Sequence, residues 1–152
     1  MLTGDLQAIV GAKAVLLDLD GTVYLGDRLL PGSASFIEAL ADTGREWLFI
    51  TNNCSRTPGE YSRKLTALGI PTRPSEVFTS GELTARILAA RGISRAFVLG
   101  TASLKRQFAR LGVLHDTAEP QAVVASFDLS LTYPKLLAAV RFVQRGDRKS
   151  VV

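Results

Sequence analysis

The feature of the sequence that most constrains the fold is a regular alternation of short apolar runs with longer segments of helical periodicity. The apolar runs have the composition of buried strands and occupy residues 13–19, 47–50, 77–79, 96–99 and 122–125. The helical segments occupy residues 31–43, 57–68, 82–90, 102–111 and 133–144, and residues 23–25 and 29–30 predict a small hairpin. Strands that alternate with helices of about 10 to 15 residues are typical of parallel β-α-β units with right-handed crossovers. The sequence therefore predicts an α/β fold with an open parallel sheet.

Composition and charge narrow the class of protein. The 152 residues are 47% hydrophobic and 21% charged, which is enough apolar material for a buried core. The 18 lysine and arginine residues are scattered against 14 acidic residues without forming a basic stripe, so we expect no nucleic-acid partner. One cysteine and one histidine supply neither an intramolecular disulfide nor a zinc site of the usual kind. No apolar run is long enough for a signal segment or a membrane span, which predicts a cytoplasmic protein with no membrane partner.

The last six residues do not fit the pattern of the rest. Residues 147–152 read Asp-Arg-Lys-Ser-Val-Val, without periodicity, directly after the expected helix end at Gly146. This string matches one reading frame of a widely used sequencing adapter followed by a stop, so we predict a non-native tail and exclude it from the expected fold. The alternative is a natural terminal segment without fixed structure.

The end of the first predicted strand carries two carboxylates, Asp18 and Asp20, in the string Asp18-Leu19-Asp20-Gly21-Thr22. A carboxylate in an apolar run is costly to bury unless a metal or hydrogen bonds compensate it. Residues two apart on a strand point to the same face, so the pair can serve as a cation site or as a nucleophile beside an acid/base. Gly21 lets the backbone approach a ligand closely. The alternative is an Asp-Gly turn that ends the strand and leaves one carboxylate in solvent.

A second polar string, Thr51-Asn52-Asn53, directly follows the next predicted strand and precedes a helix. Hydroxyl, amide and backbone N–H groups at a strand-to-helix turn can form a cradle for an anion. Asparagine and serine are also common in turns and at helix N-termini for purely local reasons. Because ligands of open parallel sheets bind at the carboxyl ends of the strands, both strings fall where a ligand site is expected.

Together the two strings, in this order and on this topology, resemble the haloacid dehalogenase (HAD) superfamily of phosphohydrolases. The first string is similar to the first motif of that superfamily, and residues 49–51 are similar to its second motif. Longer strings point to its NagD-like, p-nitrophenylphosphatase-like branch (subfamily IIA), at residues 18–26, 30–32, 51–58 and 77–80. Residues 127–133 resemble a segment of the cap domain of that branch. The resemblance covers residues 13–146 and implies a Rossmann-like core with an inserted α/β cap.

The resemblance also implies a reaction and roles for individual residues. The expected activity is magnesium-dependent hydrolysis of a small phosphorylated metabolite, with Asp18 as the nucleophile that forms an aspartyl-phosphate. Asp20 would protonate the leaving-group oxygen and then activate water. Mg²⁺ would bind the Asp18 carboxylate and the Asp20 backbone carbonyl. The remaining phosphoryl oxygens would be held by Thr51 with Asn52, Asn53 and the N–H of Gly21.

The resemblance further predicts a division of the chain. Residues 1–80 would be the N-terminal part of the catalytic core, and residues 81–146 would be part of the α/β cap, through which a homo-oligomer could form. The third-motif lysine and the fourth-motif acidic pair of the superfamily would lie beyond Gly146, so we expect a truncated chain with little activity of its own. A rival class is a non-catalytic phosphate- or metal-binding module of the receiver type. Receivers carry a phosphoacceptor Asp at a later strand end, where this chain has Thr51-Asn52-Asn53.

Three other segments are predicted to have ordinary structural roles. Cys54 has no histidine near it in sequence and is expected to fill space. His115 lies in a turn-like Leu-His-Asp string and is expected to face solvent. The string Leu99-Gly100-Thr101 precedes a helix, but a single glycine there is weak evidence for a nucleotide site.

Overall fold

The computed structural model describes residues 11–146 and 148–151. Its strands are β1 (Ala14–Asp18), β2 (Tyr24–Leu25), β3 (Arg28–Leu29), β4 (Glu46–Thr51), β5 (Val77–Thr79), β6 (Arg95–Leu99), β7 (Leu114–His115), β8 (Ala122–Ala125) and β9 (Arg148–Val151). Its helices are α1 (Ser33–Asp42), α2 (Pro58–Ala67), α3 (Ser80–Ala90), α4 (Ala102–Arg110) and α5 (Tyr133–Gln144), with a 3-10 turn at Pro74–Glu76. Strands and helices alternate along the chain, so the predicted α/β class is confirmed.

The first half of the chain forms a three-stranded parallel sheet in the order β1-β4-β5. The strands β2 and β3 form the small antiparallel hairpin expected after the first strand. Among the described residues β1 pairs with β4 alone, and Leu16 on it is 64% exposed. Within the described residues, β1 is therefore an apolar strand with one unpaired edge.

The second half forms a four-stranded parallel sheet in the order β7-β6-β8-β9. The outer strand β9 lies in the segment that the sequence analysis excluded from the fold, and it pairs in parallel register with β8. Backbone hydrogen bonding to an open strand edge needs no side-chain periodicity, which is why the sequence pattern did not indicate this strand. Residues 147 and 152 lie outside the described residues, and the non-native origin of residues 147–152 stays a prediction.

The prediction that His115 lies in a solvent-facing turn is wrong. His115 belongs to the two-residue strand β7, where it pairs with Ala96, and it is half-buried. Its Nδ1 accepts a hydrogen bond from the N–H of Val98 at 3.0 Å, and its ring packs at a tilt on Phe97 with the centroids 5.3 Å apart. The imidazole thus extends the hydrogen bonding of β6 beyond the end of its short neighbour, β7.

No helix in the described ranges is long and apolar enough to cross a membrane.

The two sheets are joined by packing as well as by the chain. Cys54, from the loop after β4, is fully buried in an apolar cluster made mainly by α3, α4 and the strands of the second sheet. The hydroxyl of Thr101 donates to the carbonyl of Ser55 at 2.9 Å, and the hydroxyl of Ser103 donates to Glu60 Oε1 at 2.7 Å. The loop that follows β4 is therefore held by both halves. The division into a core up to residue 80 and a cap after it stays a prediction.

Helix α2 shows how local sequence sets the position of this loop. Thr57 caps the helix through a reciprocal pair of bonds, in which its hydroxyl accepts from the N–H of Glu60 and the Glu60 carboxylate accepts from the N–H of Thr57. Pro58 occupies the first helical turn, where a missing N–H costs nothing. Gly69 ends the helix in the left-handed region, with φ at +100°.

Glu60 gives a pH-dependent contribution to stability. Burial raises its pKa, but hydrogen bonds from the Thr57 N–H and from the hydroxyls of Ser103 and Thr57 outweigh burial, so the pKa is lowered overall. A carboxylate with a lowered folded-state pKa stabilises the fold above its unfolded pKa of about 4.3, and this contribution is lost as the pH falls through the folded pKa. We expect Glu60→Gln to reduce the free energy of unfolding at neutral pH by about 1 kcal/mol.

Urea titrations at several pH values check this prediction. The wild-type chain should lose more stability than Glu60→Gln between about pH 6 and about pH 3, because only the wild type has this carboxylate to protonate. The exposed Glu38 on α1 offers a control, and Glu38→Gln should follow the wild-type curve. Parallel curves for wild type and Glu60→Gln would show that the capping carboxylate adds nothing to acid sensitivity.

Candidate active site

Three parallel strands end at the same edge of the first sheet, and each ends in a polar residue. Asp18 ends β1, Thr51 ends β4 and Thr79 ends β5. Asp18 lies opposite Ile50, one residue before Thr51, and Thr51 lies opposite Thr79. The structure therefore places the two strings singled out in the sequence on neighbouring strand ends, at the edge where parallel sheets bind ligands.

The loop after β1 exposes both carboxylates and buries the residue between them. Leu19 is fully buried in the apolar cluster of the first sheet, whereas Asp18 and Asp20 are exposed. The carbonyl of Leu19 accepts N–H groups from the turn that follows, including that of Val23 at 3.0 Å. Gly21 takes φ at +84°, a conformation that favours glycine. Anchoring of Leu19 thus fixes the position from which Asp18 and Asp20 project into solvent.

The donor chemistry at this strand end fits a hard cation, although the number of acidic ligands is small. Carboxylate and main-chain carbonyl oxygens are the ligands that Mg²⁺ prefers, usually with several waters and substrate oxygens completing the shell. Within residues 11–146 and 148–151 there is no group of three or more His, Cys, Asp or Glu side chains that could hold a metal ion. The oxygens that the described part of the chain offers to a cation at this strand end are the Asp18 carboxylate and the main-chain carbonyl of Asp20.

The loop after β4 is ordered by hydrogen bonds among its own polar groups. Thr51 is buried and its Oγ1 accepts from the N–H of Asn53 at 3.1 Å, while Asn53 Oδ1 accepts from the N–H of Ser55 at 3.1 Å. The hydroxyl of Ser80 donates to the carbonyl of Asn52 at 2.9 Å. Asn52 itself is exposed at the sheet edge. The loop thus presents a fixed polar surface beside Asp18.

Two buried tyrosines, Tyr24 and Tyr61, lie beneath this surface. The family resemblance implies that residues 24–30 are a flap beside the site, but it gives no role to either hydroxyl and does not indicate Tyr61. The Tyr61 hydroxyl donates to the carbonyl of Asn53 at 2.7 Å. Burial raises the pKa of Tyr61 to about 12, against the opposing effect of hydrogen bonds from Ser55 and Thr51. Burial likewise raises the pKa of Tyr24, and the negative charge of Asp20 raises it further. Both phenols therefore stay protonated at neutral pH.

A lysine covers the outer side of Tyr24. The ammonium of Lys64 lies 3.9 Å from the centroid of the Tyr24 ring and 3.7 Å from Oδ1 of Asp27. An ammonium over an aromatic face is attracted by the negative charge density of the ring. Lys64 belongs to α2, so this contact links the helix after β4 to the loop after β1.

The structure places the site residues predicted from sequence as follows. Asp18, Asp20, Thr51, Asn52 and Asn53 all lie in the loops at the carboxyl edge of the first sheet. Gly21 lies there too, but its N–H donates to the carbonyl of Tyr24 at 2.8 Å within the turn. The string Leu99-Gly100-Thr101 lies at the end of β6 on the second sheet, where the Thr101 hydroxyl caps α4 and donates to the carbonyl of Ser55 in the loop after β4.

Comparison with protein families gives a match over most of the chain. Residues 15–114 match the family model described as haloacid dehalogenase-like hydrolase. Among curated proteins, 5'-nucleotidase YutF of Bacillus subtilis (strain 168) is 32% identical over 137 residues, which cover 90% of this chain and 54% of that protein.

The solved structures similar to this one include two phosphatases. A 4-nitrophenylphosphatase from Thermotoga maritima superposes with a TM-score of 0.86 and 40% identity, covering 91% of this chain and 54% of that chain. A glycerol phosphate phosphatase from Mycobacterium tuberculosis, in complex with magnesium, superposes with a TM-score of 0.80 and 28% identity, covering 89% of this chain and 42% of that chain. The chain thus spans about half the length of the curated relatives it matches.

Proposed function

Because the chain belongs to the haloacid dehalogenase-like hydrolases, we propose that it carries the nucleophile and the acid/base of a magnesium-dependent phosphomonoesterase. Its resemblance to the NagD-like branch is confirmed. The observation that carries the proposal is the exposure of Asp18 and Asp20 beside Thr51 at one edge of a parallel sheet. Phosphatase names among the relatives that match the chain support the reaction class.

The proposed reaction uses Asp18 and Asp20 in two steps. In the first step an oxygen of Asp18 attacks phosphorus, the bond from phosphorus to the ester oxygen breaks, and Asp20 gives a proton to that oxygen. The alcohol leaves, and Asp18 holds the phosphoryl group as an acyl-phosphate. In the second step Asp20 takes a proton from water as the water oxygen attacks phosphorus. The bond between Asp18 and phosphorus then breaks, and inorganic phosphate leaves.

The loop after β4 has the proposed task of holding the phosphoryl oxygens. Thr51 and Asn52 would donate from a hydroxyl and a side-chain amide beside Asp18, and Asn53 lies next to them in the same ordered loop. The N–H of Gly21 now donates to Tyr24 within its turn, so its contact with phosphate requires a shared or exchanged hydrogen bond. Fixed donors at these positions would stabilise the charge of the transferring group without reorganisation.

Magnesium, when bound, neutralises the repulsion between the Asp18 carboxylate and an incoming phosphate dianion. The Asp18 carboxylate and the backbone carbonyl of Asp20 are the groups proposed to hold it. The oxygen chemistry of this strand end and the magnesium complex of the mycobacterial relative support the assignment. Further acidic ligands and the charge-balancing lysine would come from beyond Gly146, so the 152-residue chain alone should show little activity.

The substrate, location and assembly of the protein are parts of the same proposal. A small phosphorylated metabolite fits the names of the relatives, which include a sugar phosphatase and a nucleotidase. A cytoplasmic location and a homo-oligomer formed through residues 81–146 also stay proposals.

The activity test uses a completed chain. Residues 1–146 would be joined to the part of the Thermotoga maritima 4-nitrophenylphosphatase that follows its matching segment, since the two chains are 40% identical where they overlap. We expect the completed chain to hydrolyse p-nitrophenyl phosphate with added Mg²⁺ and to lose at least about 100-fold in rate after chelation by EDTA, because the nucleophile then faces an unbalanced phosphate charge.

The unmodified 152-residue chain is the matched control and should show no more than background hydrolysis. If the rate of hydrolysis were unchanged after full chelation, with the metal content below the enzyme concentration, magnesium dependence would be contradicted. A completed chain that folds but hydrolyses no phosphomonoester would contradict the proposed function itself.

A further inference from the structure

One buried polar group near the proposed site has no partner that the fold itself provides. Tyr24 is 0% exposed, and in the part of the chain that the structure describes its hydroxyl makes no hydrogen bond. Tyr61 offers a direct comparison, since it is also buried beside the same loops and its hydroxyl donates to Asn53 at 2.7 Å. Buried hydroxyls are nearly always paired, so the partner of this one is expected among the polar side chains next to the ring.

The position of the Tyr24 ring is fixed on several sides. Its backbone bridges to Asp20, and its carbonyl accepts the N–H of Gly21 at 2.8 Å. Lys64 covers the face of the ring at 3.9 Å from its centroid. The ring packs in the apolar cluster of the first sheet, with Leu19 and Phe49 among its members. The hydroxyl therefore stays where it is, and a partner has to come to it.

Asp20 is the carboxylate that interacts electrostatically with the Tyr24 hydroxyl. Its negative charge adds to burial in raising the pKa of Tyr24, so the phenol remains a hydrogen-bond donor. The Asp20 side chain is exposed, whereas Tyr24 is buried in the core. A side-chain interaction with Asp20 is also among the causes that raise the pKa of Tyr24, so the carboxylate lies within reach of the phenol, although the two groups do not have the geometry of a formed hydrogen bond.

We infer that Tyr24 is a positioning residue for Asp20, with its hydroxyl donating to one carboxylate oxygen while the other oxygen exchanges the proton with substrate or water. The inference rests on the proposed function, because it assigns Asp20 the proton transfers described above. A hydrogen bond to one oxygen fixes which oxygen carries the proton and the direction in which it points. It also explains the choice of tyrosine at a position where phenylalanine would fill the same space without an unpaired hydroxyl.

The contact between the two side chains can be tested on the 152-residue chain without any activity. Tyrosine labelled with ¹³C at Cζ gives one resonance for each of the three tyrosines, and the shift reports hydrogen bonding of each phenol. We expect Asp20→Asn to move the Tyr24 resonance and Asp42→Asn, an exposed substitution on α1, to leave it unchanged. A Tyr24 resonance that ignores Asp20→Asn would overturn the inference whatever the protein catalyses.

The effect on catalysis is tested by measuring kcat for the completed chain and for its variant Tyr24→Phe. Alkyl phosphates need a protonated leaving group, whereas p-nitrophenolate leaves as a stable anion. We therefore expect kcat to fall about tenfold or more on an alkyl phosphate and less than about threefold on p-nitrophenyl phosphate. Thermal stability should fall less than for Tyr61→Phe, because the exposed carboxylate of Asp20 can bind water when the phenol is removed.

Tyr61→Phe is the matched comparison, since it removes a hydrogen bond that the fold does make. It should lower stability and change the rates on both phosphoesters by the same factor. If Tyr24→Phe lowered kcat by the same factor on both substrates, Tyr24 would act only in packing and the inference would be overturned. An inactive parent chimera would instead count against the proposed function, and the labelling experiment would still decide the contact.

Discussion

Asp18→Asn in the completed chain is expected to lower kcat on p-nitrophenyl phosphate by at least about 10⁴-fold. The amide keeps the shape of the side chain but cannot form the acyl-phosphate, so the two-step route is closed. Asp18 is exposed at the end of β1, and its replacement should leave the free energy of unfolding nearly unchanged. Steady-state kinetics with denaturation curves on the same samples separate the two effects.

Asp42→Asn controls for the substitution itself, because Asp42 is an exposed aspartate at the end of α1. Its kinetics should match those of the parent. If the Asp18→Asn chain turned over within a few fold of the parent, the assignment of the nucleophile would be wrong.

Asp20→Asn is expected to give the second largest loss, about 10² to 10⁴-fold in kcat on an alkyl phosphate. Asp20 acts in both steps of the proposed reaction, as the acid for the leaving alcohol and as the base for water. The loss should be smaller for formation of the acyl-phosphate from p-nitrophenyl phosphate, because that leaving group needs little protonation. Rapid-quench measurements of p-nitrophenol release should then show a burst followed by slow turnover.

The absence of that burst, with equal losses on alkyl and aryl phosphates, would argue against a proton-transfer role for Asp20. Asp42→Asn again serves as the aspartate control and should show neither the loss nor the altered dependence on leaving group.

The sequence predicts the fold where strand pairing and side-chain pattern agree. The runs that became β6 and β8 are apolar over their length because these parallel strands are buried on both faces. The two-residue strand β7 is too short for any pattern, so His115 was expected to lie in a turn. The strand β9 depends on an open backbone edge of β8, which a side-chain pattern does not encode.

Some residues of the candidate site can likewise be predicted from the sequence, whereas others are found only in the fold. Asp18 ends β1 and Asp20 follows two residues later in the loop, so their exposure on the same side of the chain follows from the strand period. Tyr24 and Tyr61 look like ordinary core residues in sequence, since an aromatic residue at an apolar position fits packing equally well. Only the fold shows that one hydroxyl is paired with Asn53 and that the other is unpaired near Asp20. The signal that could indicate Tyr24 is its place four residues after Asp20, at the start of β2.

The covalent intermediate on Asp18 is the central claim, and chemical trapping tests it most directly. The completed chain would be mixed with an excess of p-nitrophenyl phosphate and Mg²⁺, quenched in acid within the first turnovers and digested for mass spectrometry. The account predicts a phosphoryl group on the peptide that contains Asp18, labile to hydroxylamine as an acyl-phosphate is, and absent from the Asp18→Asn chain. Rapid hydrolysis with no label on that peptide, or a stable label on another residue, would contradict the account.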